Sequence, residues 1–181
     1  METVYIDKSV ELIDDCRKGN RKAQFEVYKL YAKAMYNVAL RIVNHEAEAE
    51  DVLQEGFLDA FTRIETFRGE TTFGIWLKQI IINKSINQLR KRKVEFISID
   101  NVDVADTEAV DEKEIELKVN EIRAAVALLP DGYRVVLTLY LFEGYDHEDI
   151  SHILKISETT SRTQYMRAKK KLNGLLEKKG K

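Results

Sequence analysis

The side chains best suited to chemistry on a partner lie in two basic stretches, and the chemistry they suit is recognition rather than bond making. In "FGIWLKQIIINKSINQLRKRK", Trp76, Asn83, Asn87 and Arg90 follow one another at spacings of seven, four and three, so a helix carries them on one face. An aromatic ring, amides and a guanidinium on one face suit unstacked bases and their phosphates better than an intact groove. In "SETTSRTQYMRAKKKL", a helix presents Thr159, Arg162, Thr163, Met166, Arg167 and Lys170 opposite a core-facing stripe of Ser161, Tyr165, Ala168 and Leu172. Arginine forks match guanine edges or phosphates, threonine hydroxyls reach either, and methionine meets a thymine methyl. Nothing comparable supports catalysis. There is no Ser/His/Asp or paired-carboxylate constellation. His147 and His152 lie five apart, off the spacing that puts two ligands on one helix face, and His45 is isolated. Cys16 is the single cysteine, which excludes an internal disulfide and a cysteine zinc site. No enzymatic activity, cofactor or metal is expected.

A third stretch, "EAEAEDVLQEGFLDAF", suits protein docking. At helical spacing Ala49, Val52, Leu53, Gly56, Phe57 and Ala60 face a core, and Gly56 lets a neighbouring helix come close. Asp51, Gln54, Glu55, Leu58 and Thr62 line the other side, an exposed leucine within an acidic-polar stripe.

The elements that must position these faces are helices. Periodicity predicts helices near residues 8–18, 21–43, 46–65, 72–92, 112–129, 131–143, 147–154 and 158–177, with no convincing strand. One proline and eight glycines in 181 residues leave little punctuation for a sheet. Between the helices, "KVEFISIDNVDVADTEAVDEKE" opens on a short β-like run, then turns acidic and loses its periodicity, the composition of a linker. The expected architecture is all-α: a helical domain over residues 1–93, an acidic linker over 94–114, and a second helical domain over 115–181. In that second domain Gly144 ends one helix. Asp146 caps the next, with Glu148 and Asp149 in its first turn and Ile150, Ile153 and Leu154 on its buried face. The turn "KIS" follows, and Ser157 caps the last helix. Two short helices joined by a tight turn, the second basic outside, fit a major groove.

The formal net charge of −2 hides a sorted distribution. Residues 63–93 carry eight basic and two acidic side chains, net +6, and residues 151–181 carry nine and two, net +7. Between them residues 94–122 carry two and ten, net −8. Exposed patches farther apart than the Debye length of about 8 Å act almost independently, so an acidic chain still accommodates a nucleic-acid partner. The longest clean apolar run, "VVLTLYLF", falls short of the ~20 residues of a membrane span, and the acidic N-terminus is unlike a signal peptide. A cytoplasmic location is expected. A stand-alone dimeric helix-turn-helix regulator leaves the aromatic-basic helix idle, and a pure interaction protein leaves both basic blocks unexplained.

Four segments, in order, resemble the extracytoplasmic-function group of bacterial sigma factors: "AEDVLQEGF", "FRGETTFGIWLKQIIINKSINQLRKRK", "LLPDGYRVVLTLYLFEGYDHEDISHILKIS" and "TTSRTQYMRAKKKL". The resemblance covers nearly the whole chain. It implies two helical domains, regions two and four, joined by a flexible acidic linker of the kind that threads the path of the nascent RNA. It implies that Asp51, Gln54, Glu55 and Leu58 dock on the β′ clamp helices of core RNA polymerase, whose β subunit is a further partner. It implies that Phe67, Arg68, Thr72, Trp76 and Asn83 capture a base of the minus-ten element, with Lys84, Asn87, Arg90 and Arg92 on the adjacent backbone. Thr159, Arg162, Thr163, Met166, Arg167 and Lys170 fall on the helix that reads the minus-thirty-five element. Promoter DNA and an anti-sigma factor are the other implied partners, with no direct membrane insertion and a monomeric free state. Three positions depart from the family's usual pattern. Lys155 replaces a glycine in the turn, and Ser161 replaces a core valine and needs a hydrogen-bond partner, expected to be a carbonyl one turn back. Gln164 replaces a basic residue and is expected to lower the charge facing DNA.

Overall fold

The computed structural model describes residues 2–92 and 115–177, and among these every regular element is helical. The expected linker, residues 94–114, lies outside the described residues. The helices are α1 (Glu2–Arg17), α2 (Arg21–Val43), α3 (Glu46–Thr62), a 3-10 turn (Ile64–Thr66), α4 (Phe73–Lys91), α5 (Ile115–Ala127), α6 (Asp131–Leu141), α7 (His147–Leu154) and α8 (Glu158–Glu177). Two compact units divide the chain, Met1–Gln88 and Leu89–Lys181. Helix α1 begins earlier than its periodicity predicts. Helix α3 ends at Thr62 instead of running to 65, because the chain tightens into the 3-10 turn. Helix α6 ends at Leu141 rather than 143: the N–H groups of Phe142 and Glu143 share the Thr138 carbonyl, and Gly144 takes a positive φ of 77° that stops the helix.

In the first unit, local chemistry sets the helix ends and apolar stripes set the packing. Gly19 (φ 76°) closes α1. The Asn20 side chain then caps α2, accepting from the N–H of Lys22 at 3.0 Å and of Ala23 at 3.3 Å. His45 caps α3 through Nδ1, which accepts from Glu48 N–H at 3.4 Å. The buried stripe of α3 is Ala49, Val52, Leu53, Gly56, Phe57 and Ala60, as its spacing predicts. A Cβ on Gly56 would collide with Cδ1 of Ile81, so glycine is what lets α4 lie close to α3. Helix α4 buries Phe73, Leu77, Ile81, Ile82 and Ile86. Ser85, also buried, donates to the Ile81 carbonyl at 2.8 Å.

In the second unit α8 packs against α5, α6 and α7. Its core joins Val126, Leu129, Leu137 and Ala168, with Tyr133, Tyr165 and Leu172 packed against it. Arg134 is buried with its charge compensated: it donates to the Leu129 carbonyl at 3.0 Å and pairs with Asp131. An uncompensated charge there would be strongly destabilising.

Candidate nucleic-acid interface

The aromatic-basic helix lines a groove on the first unit. Trp76, Asn83, Lys84 and Asn87 of α4 border about 420 Å³ of open space. Across it lie Asp59 at the end of α3, Arg63, and Thr66 of the 3-10 turn. Trp76 is half-buried, with its ring centroid 5.4 Å from both Phe67 and Phe73. Phe67 meets Phe73 edge-on at 5.5 Å, and its carbonyl accepts from Arg17 at 2.7 Å. One part of the indole is therefore held by packing while another borders the groove. Thr72, exposed, accepts the Ile75 N–H on its hydroxyl at 3.4 Å at the start of α4, and Arg68 is exposed in the preceding loop. Arg90 is half-buried and Arg92 exposed; neither borders the groove.

Lys84 is engaged by α3. Its ammonium lies 2.9 Å from an Asp59 carboxylate oxygen and 3.4 Å from one of Glu55. The hydrogen bond to Asp59 pushes the Lys84 pKa up, outweighing the opposite pull of burial. Asp51, Gln54, Glu55 and Leu58 are all exposed on one side of α3, and Leu58 shows 67% of its surface.

Sequence reasoning missed Gln79, Asp59, Arg63 and Thr66 as groove residues. Gln79 lies three residues after Trp76 and four before Asn83, so helical arithmetic alone finds it. The other three come from elements that only packing brings alongside α4.

The second unit holds a helix-turn-helix. Asp146 caps α7, accepting the Asp149 N–H at 2.8 Å, and Ser157 caps α8, accepting the Thr160 N–H at 3.0 Å. The turn residue Lys155 adopts the left-handed conformation (φ 58°, ψ 47°) that a glycine there would favour. Thr159, Arg162, Met166 and Lys170 are exposed, and Thr163 and Arg167 are half-buried beside them. Arg162 pairs with Glu158 one turn earlier, and Thr163 donates to the Thr159 carbonyl at 2.9 Å.

Two expectations for α8 are corrected. Ser161 is fully buried, but its partner is no carbonyl one turn back: its hydroxyl lies 2.9 Å from Nδ1 of His147. Gln164 does not face outward. It is buried, because at three residues after Ser161 and four before Ala168 it falls between them on the core stripe, and Tyr165 and Leu172 flank that stripe half-buried. His147 stacks on Tyr140 (4.7 Å, 21°) and meets Tyr165 at 5.7 Å. Burial pushes its pKa down, helped by the Arg162 charge.

These features define a class, a two-unit helical protein with an aromatic-amide groove on one unit and a helix-turn-helix on the other. The family models agree with that division. Sigma-70 region 2 matches residues 27–95, and the "Sigma-70, region 4" model matches residues 120–172. The chain is 32% identical over 152 residues to the ECF RNA polymerase sigma factor SigM of Bacillus subtilis, covering 83% of this chain and 93% of that one. It is 28% identical over 186 residues to the RNA polymerase sigma-H factor of Pseudomonas aeruginosa, covering 94% and 95%. In fold it is like the sigma factor RpoE, solved in complex with the anti-sigma factor NepR from Bartonella quintana. The TM-score is 0.56 at 22% identity, over 84% of this chain and 95% of that one. The chain belongs to the ECF RNA polymerase sigma factors, proteins of transcription initiation. Among the described residues no helix is long and apolar enough to cross a membrane.

Proposed function

We propose that this chain binds core RNA polymerase and directs initiation at promoters carrying minus-ten and minus-thirty-five elements. The observation that carries the reading is the arrangement of the first unit. An exposed acidic-leucine stripe on α3 (Asp51, Gln54, Glu55, Leu58) and an aromatic-amide groove along α4 lie on one small helical body and meet where Glu55 reaches Lys84. Polymerase docks on the first and the opened promoter strand meets the second. Trp76 stacks on a base, Phe67 backs it, and Arg68, Thr72 and Asn83 bond base or sugar edges. Lys84, Asn87, Arg90 and Arg92 hold the adjacent backbone. The helix α8 enters the upstream major groove, where Arg162 and Arg167 grip guanine edges or phosphates, Thr159, Thr163 and Lys170 fix register, and Met166 touches a thymine methyl. The domains run over residues 1–93 and 115–181, and the acidic stretch 94–114 joins them. An anti-sigma factor holds the free protein inactive in the cytoplasm; the complex of RpoE with NepR, a protein of like fold, supports that partner.

The test mixes purified protein with core polymerase and a promoter library and sequences the transcripts. Start sites that depend on the protein and share two spaced elements are expected. Transcripts indifferent to its presence sink the reading.

A further inference from the structure

The groove along α4 carries a carboxylate where an anionic strand gains nothing from one. A single oxygen of Asp59 lies 2.9 Å from the Lys84 ammonium and 3.6 Å from the Arg63 guanidinium. All three residues border the groove, together with Trp76, Asn83 and Asn87. Lys84 is only 26% exposed, and Glu55 completes its clasp from the next turn of α3 at 3.4 Å. The two cations nearest the groove are thus both held by one carboxylate. A phosphate entering there must displace that carboxylate from Lys84 and Arg63 and sit beside its negative charge.

We propose that Asp59 is a positioning residue that restrains nucleic-acid binding by the free protein: it holds Lys84 and Arg63 against α3 and keeps the groove from gripping single-stranded DNA. The inference rests on the proposed function and adds to it a source of polymerase dependence. The groove by itself is short of positive charge. Glu55 belongs to the stripe that polymerase is proposed to cover, so docking removes one of the two carboxylates on Lys84 and loosens the ammonium toward the groove. Free protein therefore binds a single strand weakly, and protein on polymerase binds it better, without any change of fold.

The experiment measures binding of the full-length free protein to a short fluorescent single-stranded DNA of mixed sequence across a salt series. Asp59→Asn is expected to bind roughly tenfold tighter at low salt. The slope of log affinity against log salt should steepen by about 0.7 for each cation released. Asp59→Ser removes the same charge with a smaller group and should behave alike. Adding Lys84→Ala to Asp59→Asn should abolish most of the gain. A general loss of packing produces neither tighter binding nor a steeper salt slope, so a gain of this kind reads charge. Unchanged or weaker binding by both Asp59 variants, at wild-type helicity, overturns the inference. Promoter-dependent initiation by the wild-type protein with core polymerase, measured alongside, separates the two failures. If initiation occurs and the variants bind no tighter, the restraint alone is wrong. If no initiation occurs, both readings fall.

Discussion

Lys155 is the residue at which local conformation works against the fold. It sits at φ 58°, ψ 47° as the C-cap of α7, and a side chain with a Cβ is disfavoured there by roughly 1 kcal/mol. Lys155→Gly is expected to raise the stability of the second unit by up to about 1 kcal/mol. A higher denaturant midpoint at unchanged slope in chemical unfolding checks it. That position was legible in the sequence, because turn chemistry is local. Gln164 was not: its polar type and basic neighbours suggested an outward face, yet spacing three from Ser161 and four to Ala168 puts it in the core. Cys16 is buried, and burial pushes its thiol pKa up, so it stays protonated and unreactive.

The helix-turn-helix is held by a polar lock between its two helices. His147 of α7 meets Ser161 of α8 at 2.9 Å, walled by Tyr140 of α6 and Tyr165 of α8. The charged groups acting on the imidazole are Arg162, which lowers its pKa, and Glu158 and Asp146, which raise it; burial is the largest influence and lowers it. The folded pKa is therefore depressed, and the fold favours the neutral ring. A neutral-favouring histidine supplies stability above its unfolded pKa of about 6.5 and loses it as pH falls through the folded value. The second unit should unfold at lower denaturant at pH 5 than at pH 7.5, and His147→Gln should flatten that dependence. An equal pH slope in the variant would assign the effect to other groups. The serine needed a partner, and that need was legible from its place on the stripe. The identity of the partner was not, because His147 lies fourteen residues away on another helix.

Across the whole molecule, the proposed function divides promoter recognition between the two units, each meeting a different element. On the proposed reading, Arg162→Ala weakens selection at the upstream element by about 1–3 kcal/mol, since the side chain leaves Glu158 to meet the DNA. Competition between promoter variants in reconstituted transcription checks it, and an unchanged consensus removes Arg162 from the reading set. Trp76→Ala behaves differently. Its indole is braced by Phe67 and Phe73 at 5.4 Å and borders the groove, so promoter opening should suffer more than closed-complex binding. Equal loss in both steps makes Trp76 a core residue only.

The helices, their caps at Asp146 and Ser157 and the outward stripe of α3 followed from the sequence itself. Each depends on groups within about one turn of one another, where period and side-chain type determine the outcome. The sorted charge of +6 and +7 blocks likewise needed no coordinates. Only tertiary structure decided that Lys84, which its sequence context offers to a phosphate, is clasped by Asp59 and Glu55. Partners of this kind come from a helix twenty-five to twenty-nine residues away, brought alongside by the burial of Ile81 against Gly56. Periodicity fixes which face a residue occupies, but packing chooses which other face it meets.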